Sequence, residues 1–307
     1  MSKLENQYSA KDEVATVFIR RTFFQRALIT LKKAPFTAWL GLTIVFIYIF
    51  VAVFAPFVAP YGEAQIFKVP YAPWDEIHFF GTDRLGRDIL SRLIYGARNT
   101  MGIAILTTLL AFIIGGGLGL LAAILRGWID QFLARFVDIL MAIPSLIFAL
   151  MLLSIFGSTA FNLIIIIAVL DSTRVFRLSR TVGMNVAVME YVEAERLRGA
   201  KIGWIMGREI LPNILPPLVA EFGLRFCYVF LMIASLSFLG VGIQPPTADW
   251  GSMVRETGEL IQYAQYDITA AMTPILPAAA IGILTIGVNF VVDWFLYLTS
   301  GLKDEHK

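Results

Sequence analysis

The sequence predicts an all-α, polytopic membrane protein with six transmembrane helices, and composition is the first reason. Of its 307 residues, 58% are hydrophobic and only 16% are charged, whereas soluble domains carry about 25% charged residues. The second reason is that several uncharged segments reach the roughly 20 apolar residues that a spanning helix needs. The formal net charge of +2 is too small to predict a phosphate-binding surface. A soluble enzyme or a nucleic-acid-binding module is therefore not expected.

Four predicted spans contain no charged residue. They are residues 36–58, 101–125, 139–156 and 270–292. The first is longer than the apolar core of about 7–15 residues found in signal peptides, so we expect a retained helix. The second contains four closely spaced glycines, which predict close approach to a neighbouring helix: Gly115, Gly116, Gly117 and Gly119. The third has Pro144 inside it, and neighbouring helices are able to satisfy the backbone around such a proline.

The fourth and fifth predicted spans are less regular. Residues 161–170 are strongly apolar, but they are followed by Asp171 and Arg174. Residues 214–243 contain Glu221 and Arg225, which stand four positions apart and so share one helical face. We expect each of these two charges to neutralise the other in part.

The distribution of Lys and Arg predicts the orientation, because basic residues concentrate in cytoplasmic loops. With six spans and a cytoplasmic N-terminus, 18 of the 25 basic residues fall on the inside and 6 on the outside. Four outer arginines argue against this arrangement: Arg84, Arg87, Arg92 and Arg98. The domains that follow are a cytoplasmic N-terminal segment (1–35), an extracytoplasmic segment with an amphipathic helix (59–100), a core (101–298) and a cytoplasmic tail (299–307).

Motifs for catalysis and metal binding are missing from the sequence. No lysine follows a glycine, so the GxxxxGK[ST] loop that cradles nucleotide phosphates cannot form. The sequence has no HExxH, GxSxG or CxxC motif. Cys227 is the single cysteine, and His78 and His306 are the only histidines. We therefore expect no catalytic residues, no metal site and no enzymatic activity in this chain.

The predicted cytoplasmic segment before the fifth span has a structure of its own. Residues 189–198 are predicted to form a short polar helix, Gly199 a break, and residues 200–211 a second amphipathic stretch. Prolines mark the expected entry to the span: Pro212, Pro216 and Pro217. Two interpretations are open. The segment either lies on lipid as an interfacial helix or forms a docking surface for another protein.

Within this segment, residues 193–212 read EAERLRGAKIGWIMGREILP. They resemble the EAA loop of ATP-binding-cassette (ABC) importer permeases, patterned roughly EAA-x3-G-x9-I-x-LP. Glu195 departs from that pattern, since Ala is usual there, and this puts the pairing with a particular ATPase in question. The resemblance implies a coupling helix within residues 189–212 that fits a groove on an ATPase subunit. The implied ATPase-coupling residues are Glu193, Ala194, Glu195, Gly199, Ala200, Lys201, Ile210, Leu211 and Pro212.

A second segment narrows the family. Residues 80–100 read FGTDRLGRDILSRLIYGARNT and are similar to the C-type permeases of dipeptide, oligopeptide and nickel importers. Thr82 and Asp83 are predicted to cap an amphipathic helix that positions the second span. The alternative is direct contact with the solute or its binding protein.

A third segment, residues 234–253, reads ASLSFLGVGIQPPTADWGSM and resembles the same family. In the family this region borders the translocation cavity and faces the binding protein, although the acidic residue that often precedes it is replaced here by Ile233. The implied pathway or binding-protein residues are Ser235, Ser237, Phe238, Gln244, Pro245, Pro246 and Trp250. Small residues such as Ser235 and Ser237 also suit helix–helix packing.

Together the resemblances imply a type I ABC importer permease fold in a bacterial inner membrane, with both termini cytoplasmic. They imply four kinds of partner: a second homologous permease, two ABC ATPase subunits, an extracytoplasmic solute-binding protein and membrane lipid. ATP and Mg would be bound by the ATPases, and this chain would hold no cofactor. Di- and oligopeptides are the expected solutes, with nickel, opines, glutathione or oligosaccharides as alternatives. An ion-driven secondary transporter and a non-transporting scaffold are more remote alternatives.

Overall fold

A computed structural model describes residue 31 and residues 34–299 of the chain. The predicted N-terminal segment and C-terminal tail therefore lie almost wholly outside the described residues. Within them the chain is helical, with two isolated β-bridges, Ile66 to Arg87 and Thr82 to Asp88. The helices are α1 (Phe36–Val53), α2 (Ala55–Val58), α3 (Ile89–Leu125), α4 (Gly127–Met141), α5 (Ser145–Phe156), α6 (Ala160–Val186), α7 (Glu190–Leu197), α8 (Ile202–Phe238), α9 (Trp250–Thr257), α10 (Ile268–Met272) and α11 (Ile275–Thr299).

By length and composition, the described part of the chain contains four helices able to cross a membrane. They are α1, α3, α8 and the run from α10 through α11. A fifth span results if α4 and α5 are counted as one broken span. The remaining predicted span falls on α6, which has 27 residues but carries Asp171 near its middle and three arginines in its second half. Length and composition thus support four or five of the six predicted spans.

The third predicted span, residues 139–156, is not one straight helix. α4 ends at Met141, α5 begins at Ser145, and the two helices are bent by 86°. Pro144 stands at the break, where it lacks the N–H that a continuing helix would need. Most of α4 lies before the predicted span and carries Asp130 and Asp138.

The amphipathic helix and the second predicted span form a single helix. α3 runs for 37 residues from Ile89, so the expected boundary between residues 100 and 101 is not a helix break. The prediction that Thr82 and Asp83 cap this helix is wrong, because Asp88 occupies the N-cap. Its Oδ2 accepts the backbone N–H of Ser91 at 2.8 Å and so satisfies one of the free donors of the first turn.

The glycines of α3 allow it to pack closely against α6. A methyl group added at Gly119 would lie 2.6 Å from the carbonyl oxygen of Phe176, and one at Gly115 would overlap the carbonyl oxygen of Ser172. At Gly117 the same group would meet nothing within 4 Å. The prediction of close approach is therefore confirmed for Gly115 and Gly119, whose backbones lie directly against α6.

Two apolar clusters mark opposite ends of α3. The larger one surrounds Trp250 and lies toward the start of α3, against the middle and end of α8. The second, which we call the α7-side core, lies at the other end and joins α3, α6, α7 and α8. Its buried members are Leu120, Ile124, Ala187, Val192, Ile205, Ile210, Ile214 and Leu218. The two sets of candidate site residues lie at these two ends.

Candidate functional site

α7 buries one side chain, Val192, against the rest of the protein. Val192 is fully buried in the α7-side core, beside Ile205 and Ile210 of α8. On the other face Glu193, Ala194 and Leu197 are exposed, and Leu197 is 82% exposed. One face of this helix is thus fixed by packing, while the opposite face is open.

The charges of α7 pair with one another along the helix. Arg198 Nη1 lies 2.6 Å from Glu195 Oε1, and Arg196 Nη1 lies 3.7 Å from Glu193 Oε2. The two residues of each pair stand three positions apart. Because both pairs are exposed, each contributes little to the free energy of folding. Glu195, the departure from the family pattern, is therefore the carboxylate that holds Arg198 beside the turn.

Gly199 ends α7 in a fixed turn. Its φ of +78° lies in the left-handed region that favours glycine. The N–H of Gly199 donates to the carbonyl of Arg196 at 3.0 Å, and that of Ala200 donates to the carbonyl of Glu195 at 3.1 Å. This pair of bonds is the Schellman arrangement that closes a helix C-terminus. The predicted break is confirmed, and it takes the form of a hydrogen-bonded C-cap.

The prolines after the turn do not interrupt the helix, contrary to the expectation that they mark a separate entry to the span. α8 begins at Ile202, after Lys201, and runs unbroken past Pro212 to Phe238. Residues Ile205–Ile210 are π-helical, and the N–H of Leu211 donates to the carbonyl of Met206. This widened turn lies just before Pro212, which has no backbone N–H to donate to the preceding turn of the helix. Ile210 is buried, whereas Leu211 and Pro212 are exposed.

A polar contact that sequence reasoning missed also joins α7 to α8. Asn213 Nδ2 donates to the hydroxyl of Tyr191 at 3.1 Å and to the carbonyl of Glu209 at 2.6 Å. Neither Tyr191 nor Asn213 belongs to the family pattern, and nothing in their spacing indicates the contact. Together with Val192, this bond fixes α7 against the start of α8.

At the opposite end, Ser235 and Phe238 face a shallow groove of about 390 Å³, which Leu231, Val254 and Ile281 also line. The hydroxyl of Ser235 donates to the carbonyl of Leu231 within its own helix at 2.8 Å. Both predicted residues are exposed. The structure thus places them on an accessible surface, as a pathway or docking role requires.

Two other predicted pathway residues lie in the core instead. Trp250 is 1% exposed, and its Nε1 donates to the carbonyl of Leu93 at 2.8 Å. Ser237 is also buried, and its hydroxyl accepts the N–H of Ile243 at 3.1 Å. Neither side chain reaches a surface here, so Trp250 is a packing anchor and Ser237 braces the turn after α8. Packing is the alternative that the sequence left open for Ser237.

The remaining predicted residues form an exposed loop. Gln244 closes it by donating from Nε2 to the carbonyls of Gly242 at 2.9 Å and Gly240 at 3.2 Å. Pro245 and Pro246 follow, joined by a cis peptide bond, and both are exposed. This loop therefore presents a preformed turn at the surface.

Sequence reasoning also missed a buried group of four charges at this end of the protein, which we call the ion tetrad: Asp83, Arg87, Arg92 and Glu256. Arg87 lies 2.7 Å from Asp83 and 2.9 Å from Glu256, while Arg92 lies 3.5 Å and 3.4 Å from the same two carboxylates. All four side chains are at most 3% exposed. The tetrad fastens the segment before α3 to α9 and is formally neutral.

Asp249 is a second buried carboxylate at this end. It caps α9 by accepting the N–H of Ser252 at 2.8 Å and the hydroxyl of Thr100 at 3.0 Å. Burial raises the pKa of this carboxyl, and hydrogen bonds from Ser252, Ser237 and Thr100 oppose the rise. Its contacts are structural, since they tie α9 to α3.

The middle of α8 carries the ion pair that the sequence predicts. Arg225 Nε lies 2.8 Å from Glu221 Oε1, which confirms their partial neutralisation. Arg225 Nη1 also reaches Asp171 Oδ1 of α6 at 3.5 Å. Among the described residues, no group of three or more His, Cys, Asp or Glu side chains is arranged to hold a metal ion.

Comparison with known protein families gives two matches. Residues 115–300 match the binding-protein-dependent transport system inner membrane component. Residues 22–73 match the N-terminal TM domain of oligopeptide transport permease C.

The chain is also similar to known permeases along most of its length. It is 34% identical to a dipeptide transport system permease protein of Alkalihalophilus pseudofirmus, over 99% of this chain and 94% of that protein. It is 35% identical to a di/tripeptide permease of Pseudomonas aeruginosa, over 82% and 86% respectively. It is 33% identical to a glutathione permease of Pectobacterium atrosepticum, over 85% and 83%.

The fold is similar to that of a solved transporter. Inward-facing MetNI, a methionine ABC transporter, aligns with a TM-score of 0.51 at 19% sequence identity. The alignment covers 67% of this chain and 95% of that chain. At this identity the likeness concerns the fold alone, and it confirms the predicted importer-permease architecture.

Proposed function

The chain belongs to the inner-membrane components of binding-protein-dependent transport systems, and from this membership we propose that it is the permease half of an ATP-driven peptide importer. The observation that carries the proposal is the geometry of the segment from α7 to Gly199. An exposed helix is pinned on one face, closed by a hydrogen-bonded C-cap and joined by two residues to the start of α8.

This geometry suits the transmission of force. A docked ATPase would contact the open face of α7 through Glu193, Ala194 and Leu197. Because Val192 and Tyr191 fix α7 to α8, a movement of α7 would carry the start of α8 with it. Rigid-body movement of packed helices is a common way to relay such a change. Alternating access of the pathway would follow from that movement.

The partners follow from the same proposal. A second, homologous permease would complete the pathway, and two ABC ATPases would bind ATP and Mg and hydrolyse the nucleotide. A solute-binding protein would dock at the opposite end, near Phe238 and the loop of Gln244, Pro245 and Pro246. This chain would itself hold no cofactor and catalyse no reaction. The α7 end and both termini would then be cytoplasmic, and α6 would be the sixth span.

Peptides are the proposed solute class. Two of the relatives above carry dipeptide or di/tripeptide transport in their names, and a third carries glutathione, itself a peptide. A peptide pathway needs polar groups inside the membrane, and Ser235, Glu221 and Arg225 supply them on α8.

The test is co-purification of the chain with its candidate ATPases and second permease. We expect Glu193→Arg to lower ATPase recovery severalfold, because it reverses a charge on the open face of α7. Glu259→Arg, an exposed carboxylate near α9, is the matched control and should recover ATPase like the wild type. Wild-type chain that binds no ATPase in any nucleotide state would overturn the proposal in favour of an ion-driven carrier or a scaffold.

A second variant pair addresses the cap. Gly199→Ala places a side chain at a positive φ, although no atom lies near the added methyl group. It should weaken ATPase binding through backbone strain alone. Gly203→Ala, which also meets no atom and has no positive φ, should leave ATPase binding unchanged.

A further inference from the structure

A cluster of charged residues lies within the apolar length of α6 and α8. Arg225 bridges Asp171 of α6 and Glu221 of its own helix, as described above. It stands 13 residues before the end of α8, or about 20 Å along the axis, which places it well inside a hydrocarbon layer of about 30 Å. Charged groups at such depth almost always face a protein interior or a water-filled cavity.

Arg174 differs from the rest of this cluster. It is exposed, one turn beyond Asp171. Its guanidinium carbon lies 5.2 Å from the centre of the Tyr228 ring, and that of Arg225 lies 5.3 Å from the same ring. Within residues 34–299, no carboxylate or other hydrogen-bond acceptor pairs with Arg174. Asp171 and Glu221 contact Arg225, and Asp171 acts on Arg174 only through a longer-range electrostatic interaction, so the N–H donors of Arg174 remain free.

Tyr228 fixes the position of Arg174. Its hydroxyl lies 2.6 Å from the hydroxyl of Ser145 at the start of α5, which holds the ring beneath the guanidinium. A cation over a tyrosine face is attracted to the ring. Arg174 is thus preorganised, which lowers the entropic cost of binding an anion.

The exposed surface around Arg174 continues toward the groove at the end of α8. Leu224, Leu231, Ser235 and Phe238 are exposed, and with the half-buried Tyr228 they recur every three or four residues along one face of the helix. Arg174 therefore lies on one continuous surface with the groove that Ser235 and Phe238 line.

We propose that Arg174, held on the ring of Tyr228, binds the carboxylate of the solute as it crosses the membrane. This rests on the proposed function, since peptides carry a free carboxylate. The two acids and two arginines of the cluster are already balanced, so a permanent extra anion would leave a net negative charge at this depth. A transient anion suits such a site, and a moving solute supplies one.

The first experiment measures solute binding to the membrane complex without the binding protein. Saturation-transfer NMR would compare dialanine with dialanine amide against the assembled permease–ATPase complex in nanodiscs. Dialanine should receive clearly more saturation than the amide from wild type, and Arg174→Gln should abolish that difference. Equal transfer to both compounds in wild type, or no transfer to either, would overturn the proposal.

The second experiment measures ATP-dependent dialanine uptake by the complete importer. Arg174→Gln should lower uptake about tenfold or more, the size expected for a lost charge-assisted hydrogen bond, and Arg174→Lys should restore most of it. Arg177→Gln is the control, because Arg177 is exposed and already paired with Asp138; it should leave uptake near the wild-type level. Uptake unchanged in Arg174→Gln would contradict the inference.

Measuring assembly of the complex distinguishes binding of the solute by Arg174 from contact of Arg174 with the partner permease. If Arg174→Gln lowers recovery of the second permease in proportion to uptake, the arginine serves the subunit interface and the inference is wrong. The proposed function fails separately, by the absence of ATP-dependent peptide uptake in the wild type. Wild-type uptake of dialanine, together with equal saturation transfer to dialanine and dialanine amide, would overturn this inference alone.

Discussion

The amide of Asn213, in α8, donates a hydrogen bond to the hydroxyl of Tyr191, in α7, across 3.1 Å. Tyr191 is next to the buried Val192 in α7, so the bond adds a polar contact to the apolar packing between α7 and α8. It joins α7 and α8 into a single mechanical unit, and under the proposed function its removal should affect the coupling of transport to ATP hydrolysis before it affects folding.

Tyr191→Phe should therefore lower the number of solute molecules transported per ATP hydrolysed. A neutral hydrogen bond of this kind is worth about 0.5–1.5 kcal/mol, too little to prevent folding. Uptake and ATP hydrolysis measured together in proteoliposomes would give the ratio. Tyr266→Phe, at an 80% exposed tyrosine just before α10, provides a tyrosine control. An unchanged ratio would show that Val192 alone fixes α7.

Glu256→Ala should destabilise the protein strongly. It leaves Arg87 and Arg92 buried with Asp83 as their remaining carboxylate, and breaking a buried ion pair from one side costs about 3–5 kcal/mol. Thermal unfolding of the purified chain in detergent is the measurement. Asp138→Ala, which breaks the exposed pair with Arg177, should cost less than about 1 kcal/mol. Similar losses for the two variants would mean that the ion tetrad contributes little.

Gly119→Ala should be destabilising, while Gly117→Ala should be neutral or slightly stabilising. The added methyl group at residue 119 would lie 2.6 Å from a backbone oxygen of α6, but at 117 it meets nothing within 4 Å. Overpacking of this kind costs about 1–3 kcal/mol, whereas Ala in place of a helical Gly gains up to about 1 kcal/mol. The difference between the two midpoints of unfolding tests the α3–α6 contact directly.

Trp250→Phe should lower stability and leave solute selection unchanged. The indole packs edge-on against Tyr48 and Phe230, with ring centres 5.8 Å and 6.1 Å away, and donates to Leu93. The smaller ring loses that bond and leaves unfilled space, at a cost of roughly 1–3 kcal/mol. Competition of uptake by a small panel of dipeptides would reveal any change in preference. An altered preference would return Trp250 to the pathway, where the family pattern puts it.

Patterns local in sequence predicted much of this structure. Helical character, the break at Gly199 and the Glu221–Arg225 pair follow from composition, backbone preference or four-residue spacing. Contacts between distant segments did not follow: Arg87 meets Glu256 across 169 positions, and no periodicity encodes that meeting.

The two largest departures concern proline and burial. Pro144 breaks a helix that hydropathy alone made continuous, whereas Pro212, Pro216 and Pro217 lie within one. A π-helical turn precedes Pro212, and the sequence alone does not predict that turn. Trp250 and Ser237 match a functional pattern, yet their neighbours bury them, and burial depends on packing that the motif does not describe.

α8 connects the two ends of the protein, so a change at either end is able to influence the other. Its 37 residues run without a break from the turn after Gly199 to Phe238, about 55 Å along one axis. Such a rod works in both directions, because thermodynamic linkage between two binding sites is reciprocal. Whatever preference a bound nucleotide imposes on the groove at Phe238, an occupant of that groove must impose equally on nucleotide binding. A binding protein docked at the groove would thereby change the nucleotide affinity of ATPases that it does not contact.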